Sequence, residues 1–456
     1  MGTSEIVQLT LPLPGDQRSA GIPKSRTNGQ ANKLDSQDRV VHDWYRFVLS
    51  YPAHLVRDYI QKFDLNEQHT ILDPFCGTGT TLVEAKFLGI ESIGIEANPF
   101  AHFASSVKID WEIDPGELEE LAGEVAETTI NLLKKQGIDD NQITLEVPAH
   151  IFLRTLDPDA AKLLITNSIS PLPLHKALVL LDGIRKYEDR RCYHHLMLAF
   201  ANILVFKISN LRFGPEVGVG KLKNDAQVIA CWLSDVAKMA NDLRLVQKQS
   251  VSLSKAYLAD SRQTGKLIPA GSIDAVITSP PYPNEKDYTR TTRLESVVLG
   301  FINTKAELRK FKKTLVRSNT RSVYKEDDDD RWVAEYPEIS QIADQIEKRR
   351  IEMGKDSGFE RLYGRLTKLY FGGIARHLDD LRTVLRPGAR LAYVVGDQAS
   401  YLRVKIRTGE LLADIAQVLG YHPDQIDLFR TRFATASQEQ LREEVVVLTW
   451  PGKKGD

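Results

Sequence analysis

The chain has 456 residues, 42% of them hydrophobic and 27% charged, an ordinary globular composition with room for two or three domains. No run of 18 apolar residues occurs, which excludes a membrane-spanning helix, and the isolated Cys76, Cys192 and Cys231 indicate neither a disulfide framework nor a zinc site. With 60 basic against 61 acidic side chains, the net charge of −1 lacks the basic excess of many nucleic-acid enzymes, so any such footprint must be local.

Residues 1–38 are polar, carry Pro, Gly and Ser, lack the order of a secretory signal, and read as a flexible arm. A cytoplasmic location fits the signal-free start and the three unpaired cysteines. Trp44–Leu49 and Leu55–Ile60 have amphipathic helical spacing broken near Pro52. The apolar run Thr70-Ile71-Leu72 then predicts a buried strand, followed by a glycine-rich turn, a helix over Thr81–Leu88, and a second strand, Ser92–Ile95, ending at Glu96.

Residues 114–250 differ. Apolar spacing around Leu121, Val125, Ile130 and Leu133, and again from Leu178 to Phe206, predicts a mainly helical insertion, or a helical layer packed on the sheet. The α/β rhythm resumes at Ala256–Leu258 and Asp274–Thr278, so the catalytic domain is expected to be discontinuous, residues 39–113 with 251–456. Residues 303–360 form a second, charge-rich interruption, in which the acidic run 327–330 reads as a solvated loop. A helix over 366–384, a strand over Arg390–Val395, a helix over 408–419 and a last strand, Glu444–Leu448, close the pattern.

Two motifs carry chemistry. In Asp73-Pro74-Phe75-Cys76-Gly77-Thr78-Gly79-Thr80-Thr81, two glycines between strand and helix let the backbone approach a ligand at a helix N-terminus, at the carboxyl edge of a sheet. Asp73 can reach the ammonium of an amino-acid moiety. Glu96, 23 positions on, can accept both hydroxyls of an unphosphorylated ribose. The second motif, Ser279-Pro280-Pro281-Tyr282, directly follows a strand. Its prolines stiffen the backbone and remove amide donors, leaving carbonyls to accept. A nucleobase amino group is a poor nucleophile because its lone pair is delocalised into the ring. Accepting its hydrogens at the Ser279 side chain and the Pro280 carbonyl favours the pyramidal form that attacks, while Tyr282 can stack on the ring.

The first motif, with Gly94-Ile95-Glu96-Ala97-Asn98-Pro99, resembles motifs I and II of the amino-group (N4-cytosine and N6-adenine) DNA methyltransferases. Ala259-Asp260-Ser261 is similar to motif III, whose acid faces the cofactor adenine, and Tyr51-Pro52-Ala53-His54 is similar to motif X, at its methionine end. The resemblance implies S-adenosylmethionine as cofactor, Asn98 among its contacts, and a Rossmann-like α/β class I methyltransferase fold: a mostly parallel seven-stranded sheet with helices on both faces, here with a helical insertion. It implies direct in-line transfer to a base flipped out of double-stranded DNA, with no metal and no membrane, and a cognate restriction endonuclease encoded separately. C5-cytosine chemistry is set aside, since no Pro-Cys dipeptide is present. Within the family Ser-Pro-Pro-Tyr is more typical of N4-cytosine enzymes, and Asp- or Asn-Pro-Pro-Tyr of N6-adenine ones. N6-adenine transfer, a tRNA guanosine-N2 methyltransferase and a catalytically silent nucleic-acid-binding module remain the alternatives.

The insertion between motifs II and III departs from the usual family patterns, so two segments compete to contact DNA. One is the loop from Asn210 to Lys223, with Arg212, Lys221 and Lys223. The other is the stripe from Lys305 to Lys325, with Lys310, Lys312, Lys313, Arg317 and Arg321. Asn284, Lys286, Asp287 and Tyr288 are expected to line the entrance to the base pocket.

Overall fold

The computed structural model of the chain describes residues 36–47, 49–143, 151–214, 216–248, 252–434 and 439–452. Residues 1–35 of the predicted N-terminal arm therefore lie outside the described residues. Its strands are β1 (Thr70–Asp73), β2 (Glu91–Glu96), the short β3 (Leu211–Phe213) and β4 (Val217–Val219), β5 (Ser254–Leu258), β6 (Ile273–Thr278), β7 (Leu385–Gly396), β8 (His422–Ala434) and β9 (Glu439–Thr449). Among the described residues one seven-stranded sheet runs β5-β2-β1-β6-β7-β9-β8. It is parallel from β5 through β7, then antiparallel at β9 and β8. This is a Rossmann-like α/β fold.

The central strands are apolar without alternation because both faces are covered. Successive side chains point to opposite faces. Ile71, Ala275, Ile277, Ala392 and Val394 pack against the helix Ala53–Lys62. Leu72, Val276, Leu391, Tyr393 and Val395 instead pack with Leu366, Tyr370 and Leu378 of the helix Tyr363–Leu381.

The region between β2 and β5 is mainly helical: Pro115–Lys135, Pro171–Arg185, Tyr193–Ile203 and Val228–Val246. These helices share one core with Leu82 and Val83, from the helix after β1, and with Phe100 and Ala104, from the helix after β2. They therefore pack directly on helices that flank the sheet. The segment before the first helix bridges both parts. Trp44 Nε1 donates to Asp242 Oδ2 at 2.9 Å, and the Tyr45 hydroxyl donates to Glu295 Oε1 at 2.5 Å.

Three expectations are corrected. Described residues 36–47 form 3-10 turns (Ser36–Arg39, His42–Trp44) rather than an α-helix, with Trp44 and Tyr45 committed to long-range bonds. The loop 210–223 contains the β3–β4 hairpin. The acidic run is internal at two of its four positions: Asp327 accepts from Arg317 at 2.7 Å, and buried Asp329 accepts from Arg262 and Arg376, while Asp328 is exposed. Among the described residues no helix is long and apolar enough to cross a membrane.

Candidate active site

The carboxyl ends of β1, β2, β6 and β7 meet at one cleft of about 570 Å³. On its β1–β2 wall, Gly77 and Gly79 take φ +52 and +86, a region L side chains rarely adopt. The loop is tied to the next strand by Cys76 N donating to Ile95 O at 3.1 Å. Gly94 allows this approach, since a Cβ there would lie 2.7 Å from Leu82 Cδ1 and 2.8 Å from Cys76 Sγ. Glu96 then accepts from Gly77 N at 2.8 Å and from Asn98 N at 2.7 Å, one bond on each oxygen. Burial pushes its carboxyl up to about 7, against the pull of those two amides. Each carboxylate oxygen retains a lone pair for a ribose hydroxyl. Thr78 Oγ1, buried in the cleft wall, has no hydrogen-bond partner among the described residues. Close backbone, a two-oxygen acceptor and an orphaned hydroxyl together fit an adenosine-bearing cofactor.

Asp73 lies beneath the cofactor loop. It is fully buried and does not line the cleft. Oδ1 accepts from Thr278 Oγ1 at 2.6 Å and Phe75 N at 3.1 Å, and Oδ2 accepts from Thr81 Oγ1 at 2.5 Å and the Tyr51 hydroxyl at 3.2 Å. Burial raises its carboxyl, opposed by these bonds. It therefore bolts the cofactor loop to the residue preceding Ser279.

Ser279, Pro280, Pro281 and Tyr282 all line the cleft. Ser279 Oγ donates to Val394 O at 3.2 Å, which leaves its lone pairs to accept. Tyr282 N donates to the Tyr288 hydroxyl at 3.0 Å, fixing the turn. The Tyr282 ring passes over Gly396, where a Cβ would come within 3.1 Å of Cε2.

Of the other residues singled out from sequence, Tyr51, Pro74, Phe75, Cys76, Thr80, Asn98 and Ser261 line the cleft, although the Asn98 carbonyl oxygen caps the next helix. Gly79, Thr81, His54 and Asp260 do not. His54 is buried near Phe429, and Asp260 pairs with Arg262 at 2.7 Å. Asn284, Lys286 and Tyr288 line the cleft, whereas Asp287 is buried against Lys312 at 2.8 Å.

The basic stripe divides. Lys312 and Arg317 are buried in ion pairs, and Lys313 pairs with Glu326 at 2.6 Å. Lys310 and Arg321 are exposed, as are Arg212, Lys221 and Lys223, the last donating to Lys207 O at 2.6 Å. Sequence reasoning missed the cleft residues Phe311, Thr314, Leu315 and Asn319 of the charge-rich interruption, and Arg430, Arg432 and Glu443 of the last two strands. The Arg-Thr-Arg spacing, period two beside an apolar strand, was the available signal for the arginines.

Residues 23–105 match the DNA methylase family model for N6 and N4 amino-methyltransferases. The type II methyltransferase M.BsoBI of Geobacillus stearothermophilus is 26% identical over 437 residues, covering 90% of this chain and 83% of that one. M.AvaI of Nostoc, also a type II methyltransferase, is 23% identical over 90% of this chain and 84% of its own length. M.MjaII of Methanocaldococcus jannaschii, a third, is 35% identical over 100 residues, 22% of this chain and 18% of that one. Among solved structures, TrmN from Thermus thermophilus aligns with a TM-score of 0.31 and 10% identity over 91% of this chain, which spans 53% of that one.

Proposed function

Because the chain belongs to the amino-group DNA methyltransferase family, we propose that it is a type II modification methyltransferase acting on N4 of cytosine in double-stranded DNA. What carries the reading is that Gly77 and Glu96 share one cleft with Ser279, Pro280 and Tyr282, although the two sets lie far apart in the chain. Bound S-adenosylmethionine supplies an electrophilic methyl group. Glu96 would accept the ribose hydroxyls, and the Gly77–Thr78 backbone would lie against the cofactor. Ser279 Oγ, whose own hydrogen is engaged by Val394 O, accepts one hydrogen of the target amino group. The Pro280 carbonyl accepts the other. Both bonds would draw the amino nitrogen out of conjugation and orient its lone pair for attack on the methyl that the cofactor supplies, so catalysis would come from positioning and fixed dipoles. Tyr282 stacks on the ring, and such a base must leave the duplex to reach the cleft. The serine at the head of Ser-Pro-Pro-Tyr favours cytosine. The type II relatives suggest a protective role beside a separately encoded endonuclease.

Incubation with labelled cofactor and either unmodified DNA or tRNA, followed by nucleoside mass spectrometry, tests this. N4-methylcytosine in DNA is expected. N6-methyladenine in DNA would overturn the base assignment alone, and label confined to tRNA would overturn the polymer.

A further inference from the structure

The ends of β8 and β9 put three charged side chains into the cleft for which methyl transfer itself has no use. Glu443 stands between Gly396 on β7 and Arg430 on β8 in the strand register. Arg430 Nε donates to Glu443 Oε2 at 2.5 Å. Arg432 Nη2 donates to Gln398 Oε1 at 3.0 Å and to Asp397 O at 3.1 Å. Its Nε, buried and without a hydrogen-bond partner among the described residues, lies 3.6 Å from Glu443 Oε1. Two apart on one strand, both arginines face the same side. All three side chains line the cleft with Ser279 and Tyr282. Gly396 makes room for the arrangement, because a Cβ there would stand 3.1 Å from the Tyr282 ring and 3.3 Å from Glu443 Cγ.

We propose that Arg430 and Arg432, oriented by Glu443, read the ring acceptors beside the amino group of the extruded base and so select cytosine over adenine. The proposal rests on the cytosine reading above and names the residues that enforce it. Next to its amino group cytosine offers N3 and then O2, two acceptors spaced for a guanidinium fork. Adenine offers N1 and then a C2–H, which leaves a guanidinium proton facing carbon. A fork matched to paired acceptors is a strong and specific base contact, and a donor left facing carbon loses that contact. Glu443 is engaged by Arg430, so it aims the guanidinium rather than attracting a base donor. The competing assignment for two arginines at a DNA site is a phosphate clamp, which behaves differently with salt.

With unmodified plasmid DNA, Arg430→Met and Arg432→Met are each expected to lower kcat about ten-fold or more. Calorimetric affinity for S-adenosylmethionine and the slope of log KM for DNA against log salt should stay at wild-type values. A clamp would lower that slope by about one per arginine with kcat retained, which would overturn the proposal. Arg430→Lys should lose as much as Arg430→Met, since a point charge cannot replace a fork; full activity in Arg430→Lys refutes the assignment. Sequencing the modified plasmid locates the target. A duplex carrying there the 2-aminopyridine C-nucleoside, which keeps the amino group and ring nitrogen but lacks O2, should cost wild type about ten-fold and Arg430→Met nothing more. Equal losses in both, or none in wild type, exclude recognition of O2. Wild-type enzyme depositing methyl groups only on adenine would show instead that the cytosine reading itself had failed.

Discussion

Ser279 donates to Val394 O, and that bond leaves the hydroxyl's lone pairs to accept from a substrate. Ser279→Ala and Tyr282→Ala should therefore reduce turnover by about 10²–10³-fold, with cofactor affinity unchanged by calorimetry. Normal turnover in either variant would remove the motif from the chemistry. Glu96 should make cofactor binding pH-dependent. Burial lifts its carboxyl from 4.5 to about 7, so it is largely protonated below 7 in the cofactor-free protein. Accepting two ribose hydroxyls favours the carboxylate, and affinity should rise by up to about ten-fold per pH unit between 6 and 7 and level off above. The bare fold responds oppositely: a raised carboxyl stabilises it fully below 4.5 and loses that contribution as pH climbs through 7. Glu96→Gln should flatten the binding curve, and a curve still sloping in that variant would assign the titration elsewhere. The glycines, Glu96 and the Ser-Pro-Pro-Tyr string were legible because each has a conformational or chemical reason local to its neighbours. Asp73 was not, because its partners Thr278 and Tyr51 come from other elements.

At the scale of elements, what could be read was what repeats along the chain. Apolar runs marked β1, β2, β6 and the end of β9, and helical spacing marked Tyr363–Leu381 and Thr408–Val418. β8 escaped, since as an edge strand it mixes Pro423, Asp424 and Gln425 with only a half-buried alternation, and its pairing with β9 supplies the order. The helix Tyr363–Leu381 illustrates a contact with no sequence signal. At Gly372 a Cβ would stand 1.9 Å from the carbonyl oxygen of Asp329, so the acidic segment lies directly on the helix backbone. Gly372→Ala should destabilise the protein by about 1–3 kcal/mol, read as a lower urea midpoint. A midpoint equal to wild type would mean that the segment can lift away without loss.

Over the whole molecule, the nearly balanced charges are in part spent on internal pairs. Arg317 with Asp327, Lys312 with Asp287, and Arg262 with both Asp260 and Asp329 consume basic and acidic runs that in sequence look like opposed surface patches. Charge spacing alone cannot separate a solvated stripe from an internal network, because it does not show which acids fold back onto the stripe. Some come from the same segment, as Glu326 and Asp327 do, and some from outside it, as Asp287 does. Reversing the exposed Lys310 and Arg321 to Glu should weaken DNA binding and lower its salt slope, with thermal stability within a degree or two of wild type. Reversing Lys312 and Arg317 should instead unfold the segment, since each would leave a buried carboxylate facing another. An unchanged salt slope in the first pair would take that face out of the DNA footprint. The helical layer between β2 and β5 was legible as helices, while its seat on the helices after β1 and β2 emerged only from the shared core.

The bond from Thr278 to Asp73, with Thr81 and Tyr51 closing the same carboxylate, also bears on how this protein can vary. Loss of one hydroxyl removes one of the four donors that hold the buried carboxylate, and loss of the acid leaves the Thr278 hydroxyl without its acceptor, so joint replacements should be tolerated better than single ones. The four positions form an epistatic set spread over three segments of chain, and a library that varies the cofactor loop without varying Thr278 explores a landscape already closed by the other half of the site.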